Sequence, residues 1–316
     1  LIPLATIGII AFNSATNALQ SEIFALLEGL RDSRRDQLMD FFNSRLIDIQ
    51  GLVNNPFYVN AAGGLWTGYT VSGLEGRVYQ LQHERNRPQL AAFAASYGYS
   101  DMLMVGPEGT LYFTLNAPSI LGQNVLNGPL SETHFGRAVR RLLTTDTEWA
   151  LTDFAPFEPA GGEIVSFLVH RLPLAEGSES AVIALQLPIT PVQLLMQSTT
   201  GLGNTGETYL VGPDMLMRTD SRFSQTSTTL TQRVDTAAVR AAQAGETGSQ
   251  LLVDYRGRRV LSSYTPVSIL DQLQWVLVAE MEEAEAFAPV RTLATQMLGI
   301  GGLSLALVIV VGVLLS

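Results

Sequence analysis

Eleven residues carry the side chains best suited to hold a small molecule: Trp66, Tyr69, Tyr97, Tyr99, Asp101, Tyr112, Thr114, His134, Asp153, Phe157 and Ser166. Small-ligand sites are mostly apolar with a few convergent polar groups, and this set of rings, hydroxyls and carboxylates has that character. Strand alternation places Asp101, Leu103 and Val105 on one face and Tyr112 with Thr114 on one face of the next strand. Asp153 is the preferred acid because it interrupts the apolar run LTDFAPF, although a turn or cap role suits it equally. Core packing is the competing role for each aromatic. No arginine of this half falls clearly in register with the set. The expected chemistry is therefore binding of an uncharged or cationic ligand by tyrosine hydroxyls and carboxylate.

Catalysis is not expected. The three histidines, His83, His134 and His170, are far apart and lack metal-ligand spacing, and no G-x-S-x-G elbow accompanies them. Gly201–Gly206 fits G-x-G-x-x-G, but a helix pattern precedes it and a strand pattern follows, the reverse of a dinucleotide site. With no cysteine there is no thiolate metal site. Neither a catalytic residue, a metal nor a cofactor is read. In the second half Tyr209, Arg218, Asp220, Tyr255 and Tyr264 form a comparable polar set, for which a structural role is favoured. Arg218 and Asp220 stand two apart and could pair.

The elements that position these residues follow from patterning. The 316 residues carry 19 basic side chains, all Arg, and 29 acidic ones, a net charge of −10. At 47% apolar and 15% charged, the chain is neither disordered nor equipped with the basic face that nucleic acid requires. Thr292–Ser316 is free of charge, and Leu1–Phe12 has the same apolar character. About 20 apolar residues cross a bilayer as a helix, so residues 1–12 are expected to end one transmembrane helix and 287–316 to form a second. Residues 13–55 show apolar positions three or four apart, the period of a long amphipathic helix, ended by Asn55-Pro56. Its charged stretch Arg31–Asp36 is expected to be a solvated face, with pairing to a second subunit's helix as the alternative.

From Asp101 the texture becomes strands and turns. DMLMVGPEGTLYFTL is a hairpin signal, followed by a helix over Ser131–Leu143 and strands around Ala150–Phe157, Glu163–Arg171 and Ser180–Leu187, with turns at Gly161-Gly162 and Glu176–Ser178. The order returns in the second half. TYLVGPDMLMRTD is again strand, turn, strand, and Val211-Gly212-Pro213 repeats Val105-Gly106-Pro107. The fold class expected is α+β: a long N-terminal helix and two PAS-like modules with antiparallel sheets of about five strands, over 56–190 and 191–286, flanked by transmembrane helices.

GNTGETYLVGPDMLMRTDSRF, DYRGRRVLSSYTPV and LQWVLVAEMEEAEAFAPV resemble the second half of the sensor region in bacterial transmembrane receptors of the double Cache (dCache) type. The likeness spans nearly the whole chain. It implies a receptor placed two-pass in the bacterial inner membrane with residues about 13–290 periplasmic, a homodimer formed through the long helices, and a small-molecule ligand in the membrane-distal module. A chemoreceptor is the leading expectation, with a receptor cyclase or an anchored periplasmic binding protein as alternatives. Partners implied are the ligand and the lipid bilayer, and no nucleic acid. Amino-acid-binding members carry an Arg-Pro-Trp-Tyr-like stretch and a later Asp. Here GQNVLNGPLSE has Pro129 but Gly128 and Leu130-Ser131 in place of the Arg and the aromatic pair, and Pro159 stands at the Asp position. A free amino acid is accordingly not expected as ligand.

Overall fold

The computed structural model describes residues 2–174 and 180–314, so the expected turn at 176–178 lies outside the described residues. Helix α1 (Ile2–Asn54) is one 53-residue helix, about 80 Å at 1.5 Å per residue. It begins earlier than the amphipathic pattern alone suggests, because the apolar run before Asn13 contains nothing but early Pro3 to break it. It stops where Asn55 turns extended and caps α2 (Pro56–Ser72), its side chain accepting the Phe57 N–H at 2.9 Å. Proline at the first helical position needs no N–H partner there. Helix α3 (Arg77–Tyr97) runs through Pro88 and ends at Gly98 in the left-handed region.

The first module is built on β1 (Asp101–Val105), β2 (Leu111–Thr114), β3 (Trp149–Leu151), β4 (Ala155–Phe157), β5 (Glu163–Pro173) and β6 (Ser180–Pro188), with α4 (His134–Thr144) between β2 and β3. The strand order is β2-β1-β6-β5-β3, with β4 also paired to β5. Six strands form rather than five, because the segment expected as one strand near 150–157 breaks at Thr152–Phe154 and pairs with β5 twice. One sheet face carries Leu103, Val105, Phe157, Phe167, Val169, Val182 and Ala184. These close over Phe135, Val139 and Leu142 of α4.

After α5 (Thr190–Gln197), the second module has β7 (Glu207–Val211), α6 (Ala237–Gln243), β8 (Gly248–Val253), β9 (Arg259–Ile269) and β10 (Leu273–Glu282), in the order β7-β10-β9-β8. Four strands form, not five. The second arm of the expected Thr208–Asp220 hairpin makes only isolated bridges, Val211 with Met217 and Leu216 with Arg233, after Met215 enters the left-handed region at φ 63°. Helices α7 (Glu283–Ala286) and α8 (Ala288–Leu314) complete the chain. By compactness there are two units, one of Leu1–Arg35, Met196–Val267 and Trp275–Ser316, the other of Asp36–Leu195 and Ser268–Gln274.

The α+β class with two antiparallel sheets stands, but the flanking membrane spans do not. Among the described residues no helix is long and apolar enough to cross a membrane. The apolar run over 2–12 continues without interruption into a charged helix. Helix α8 opens with Arg291, Thr292, Thr295 and Gln296, which confine its apolar part to the later turns. The two-pass placement in an inner membrane therefore has no spanning helix among the described residues to support it.

Candidate functional site

The eleven predicted residues separate into four groups and one lone residue, Ser166. Asp101, 2% exposed, accepts the Thr114 hydroxyl at 2.6 Å and the backbone N–H groups of Met102, Leu115 and Asn116 at 2.6, 2.8 and 3.3 Å. Burial still raises its pKa despite these bonds. Thr114 in turn accepts the Ala117 N–H. The pair fastens the exit of β2.

Trp66, Tyr69 and Tyr112 form an aromatic layer between α2 and the sheet. Trp66 stacks on Tyr69 at 5.6 Å and tilts against Tyr112 at 5.3 Å. A Cβ on Gly106 would fall 2.2 Å from the Trp66 ring, so glycine is required there. Tyr97 and Tyr99 belong to a third group with α1. The Tyr99 hydroxyl donates to Asp48 at 2.7 Å, Arg45 lies 5.2 Å over the Phe41 and Tyr99 rings, and Tyr97 stacks on Phe93. A cavity of about 200 Å³ opens beside Arg45, Tyr97 and Pro191. Ser166 points away from α4 and donates to the Thr152 carbonyl at 2.7 Å, a bond within the sheet.

His134, Asp153 and Phe157 do come together, on the α4 side of the sheet. Thr133 caps α4 by accepting the Gly136 N–H at 3.0 Å, and so fixes His134 as the first helical residue. The imidazole packs 5.2 Å from Phe167 and 5.9 Å from Phe157. Burial first, and then the Arg137 charge, lower its pKa to about 4, against a backbone bond to Val165 and the Asp153 charge, which raise it. The imidazole is therefore neutral at neutral pH. Its Nε2 is buried without a partner among the described residues, and in the neutral tautomer that carries the proton on Nδ1 it is an acceptor. Asp153 is half-buried, and its Oδ1 accepts the Phe154 N–H at 2.7 Å. The arrangement asks for a donor: an ammonium, amide or hydroxyl placed between an imidazole acceptor and a carboxylate, over two phenyl rings.

Phe167 and Ser131 were missed. Alternation along EIVSFLVH puts Phe167 on the core face with Val165 and Val169, a signal the sequence did carry. Ser131 is buried beside α4 in a short 3-10 turn (Pro129–Glu132) that no periodicity announces. In the second module Arg218 pairs with Asp214 at 2.9 Å, and the Asp220 Oδ1 takes Ser227, Thr228 and Thr229. Among the described residues no group of three or more His, Cys, Asp or Glu could hold a metal ion.

No family model matches the chain, and no curated protein matches it. Solved structures do. The extracellular domain of vpHK1S-Z8 superposes with a TM-score of 0.55 at 10% identity, covering 88% of this chain and 96% of that one. The ligand-binding domain of the Pseudomonas fluorescens chemoreceptor CtaA, in complex with L-leucine, gives 0.52 at 12%, covering 86% and 99%. That of the Pseudomonas aeruginosa PAO1 amino acid chemoreceptor PctB, in complex with L-Gln, gives 0.51 at 15%, covering 87% and 97%. Of one longer receptor this chain spans 39%. Two of these domains hold free amino acids, which overturns the exclusion of an amino acid drawn from the missing Arg and aromatic pair. The chain has the two-module sensor fold of chemoreceptor ligand-binding domains, the fold implied by its likeness to the double Cache type.

Proposed function

We propose that this chain is a non-catalytic, extracytoplasmic ligand-binding sensor domain of the chemoreceptor kind, taking a small amine-bearing molecule of the amino-acid class in the module over residues 56–190. The observation that carries the reading is His134 Nε2, a buried ring nitrogen with no partner among the described residues, beside Asp153 and over Phe157 and Phe167. An ammonium group would give His134 Nε2 a donor beside the Asp153 carboxylate. The ligand carboxylate has the N-terminal turn of α4 and Arg137 within the same helix start, where anions are favoured. The ligands held by PctB and CtaA, L-Gln and L-leucine, fit this class. Binding would act by favouring one of two states of the module through differential affinity. Calorimetric titration of the chain with a panel of L-amino acids tests the reading: saturable binding is expected, abolished in Asp153→Asn and weakened in His134→Ala. Binding of small dicarboxylates alone would contradict it.

A further inference from the structure

The second module holds a wholly buried carboxyl group with no role in the site above. Glu207 on β7 and Glu280 on β10 are register partners, so both point to the sheet face that carries Tyr209, Val211, Val276 and Val278. They are 2% and 1% exposed. Glu207 is well partnered: the Tyr255 hydroxyl donates to Oε1 at 2.7 Å and the Ser221 hydroxyl to Oε2 at 2.9 Å, with Arg256 Nε 3.9 Å away. Among the described residues Glu280 has the Tyr209 hydroxyl alone, 3.1 Å from Oε2, and its Oε1 is buried without a partner. A second group points the same way. Ser262, fully buried with its hydroxyl unpartnered, sits on β9 next to β10 and shares the face of Tyr264.

The charges around Glu280 do not favour a carboxylate there. Glu207 faces it from β7, and Asp254 with Arg256 from the turn after β8. The tyrosines Tyr209 and Tyr255 are the other titratable neighbours, and Glu282 lies further along its own strand. Arg256, the cation of this group, already holds Asp254 at 2.7 Å. A buried carboxylate with a single hydrogen bond is costly, and neutralisation relieves the cost.

We propose that Glu280 is a proton-binding site of the second module, holding its proton while the sheet face is closed and releasing it only as that face opens beside Glu207. Burial first, and then the charges of Glu207 and Asp254, push its pKa well above the carboxylate range, and burial raises that of Glu207 as well. A carboxyl raised in the folded state stabilises it fully below the ordinary value of 4.5, and that stability is lost as pH rises toward the folded value. The site thus makes the second module responsive to alkalinisation, whatever ligand the first module takes.

Infrared spectra of the full chain test this through the carbonyl band of protonated carboxyl groups. The band is expected to persist at neutral pH and to fall in intensity in Glu280→Gln, a variant that keeps the neutral shape. An absent band, or one of unchanged intensity in Glu280→Gln, overturns the proposal. Should Glu280→Gln not fold, Tyr209→Phe removes the one hydrogen bond to Glu280 and must shift the band; an unshifted band overturns the proposal equally.

Discussion

The Thr114 hydroxyl donates to Asp101 Oδ2 at 2.6 Å while three backbone N–H groups share Oδ1, so Asp101 is a fastener of the β1–β2 edge. Asp101→Ala leaves those donors without an acceptor. Charge-assisted bonds of this kind contribute about 1.5–3 kcal/mol each, and breaking such a buried set costs about 3 kcal/mol in all. Urea denaturation measures the loss, and the folded variant should bind ligand as the parent does. A loss below about 1 kcal/mol would show the network to be dispensable.

His134 makes stability depend on pH in a defined window. Its folded pKa, about 4, lies below the ordinary 6.5, so between these values the unfolded chain binds the proton and the folded one does not. Stability is therefore present above about pH 6.5 and falls as pH drops toward 4. His134→Gln should flatten the thermal midpoint across that window. An equal fall in parent and variant would assign the effect elsewhere.

Gly106 is required by the aromatic layer. An added methyl meets the Trp66 ring at 2.2 Å, and overpacking of this degree costs about 1–3 kcal/mol. Gly106→Ala should lower the melting temperature, and a smaller residue at 66, as in Trp66→Leu, should recover part of the loss in the double variant. Additive losses would mean that the two residues do not meet.

Arg31 is 6% exposed, and its guanidinium donates to the Ser263 hydroxyl at 2.8 Å while pairing with Asp32 at 2.9 Å. The charged stretch that reads as a solvated face therefore buries one of its arginines on β9. Arg31→Ala should destabilise the unit it belongs to by about 2 kcal/mol, read in chemical denaturation. Arg31→Lys should recover little, because one ammonium cannot reproduce the fork.

That arginine shows where sequence reading reaches its limit. Periodicity and turn residues anticipate α1, the cap at Asn55-Pro56 and the alternating faces of β1 and β5, because these are local consequences of side-chain spacing. Which polar residues turn inward is decided by partners distant in sequence. Asp101 finds Thr114, Arg31 finds Ser263, and Glu207 finds Glu280 only once the sheets assemble. For the same reason His134, Asp153 and Phe157 could be named as candidates, whereas their separation from Ser166 and from the Trp66 layer needed the sheet to distinguish its two faces.

The most direct measurement is calorimetric titration of the chain with L-amino acids, run in parallel on Asp153→Asn. One saturable site in the parent, lost in the variant while its fold persists by circular dichroism, is the result predicted for a ligand held between His134 and Asp153. Binding of equal affinity in Asp153→Asn would place the ligand elsewhere and contradict the account.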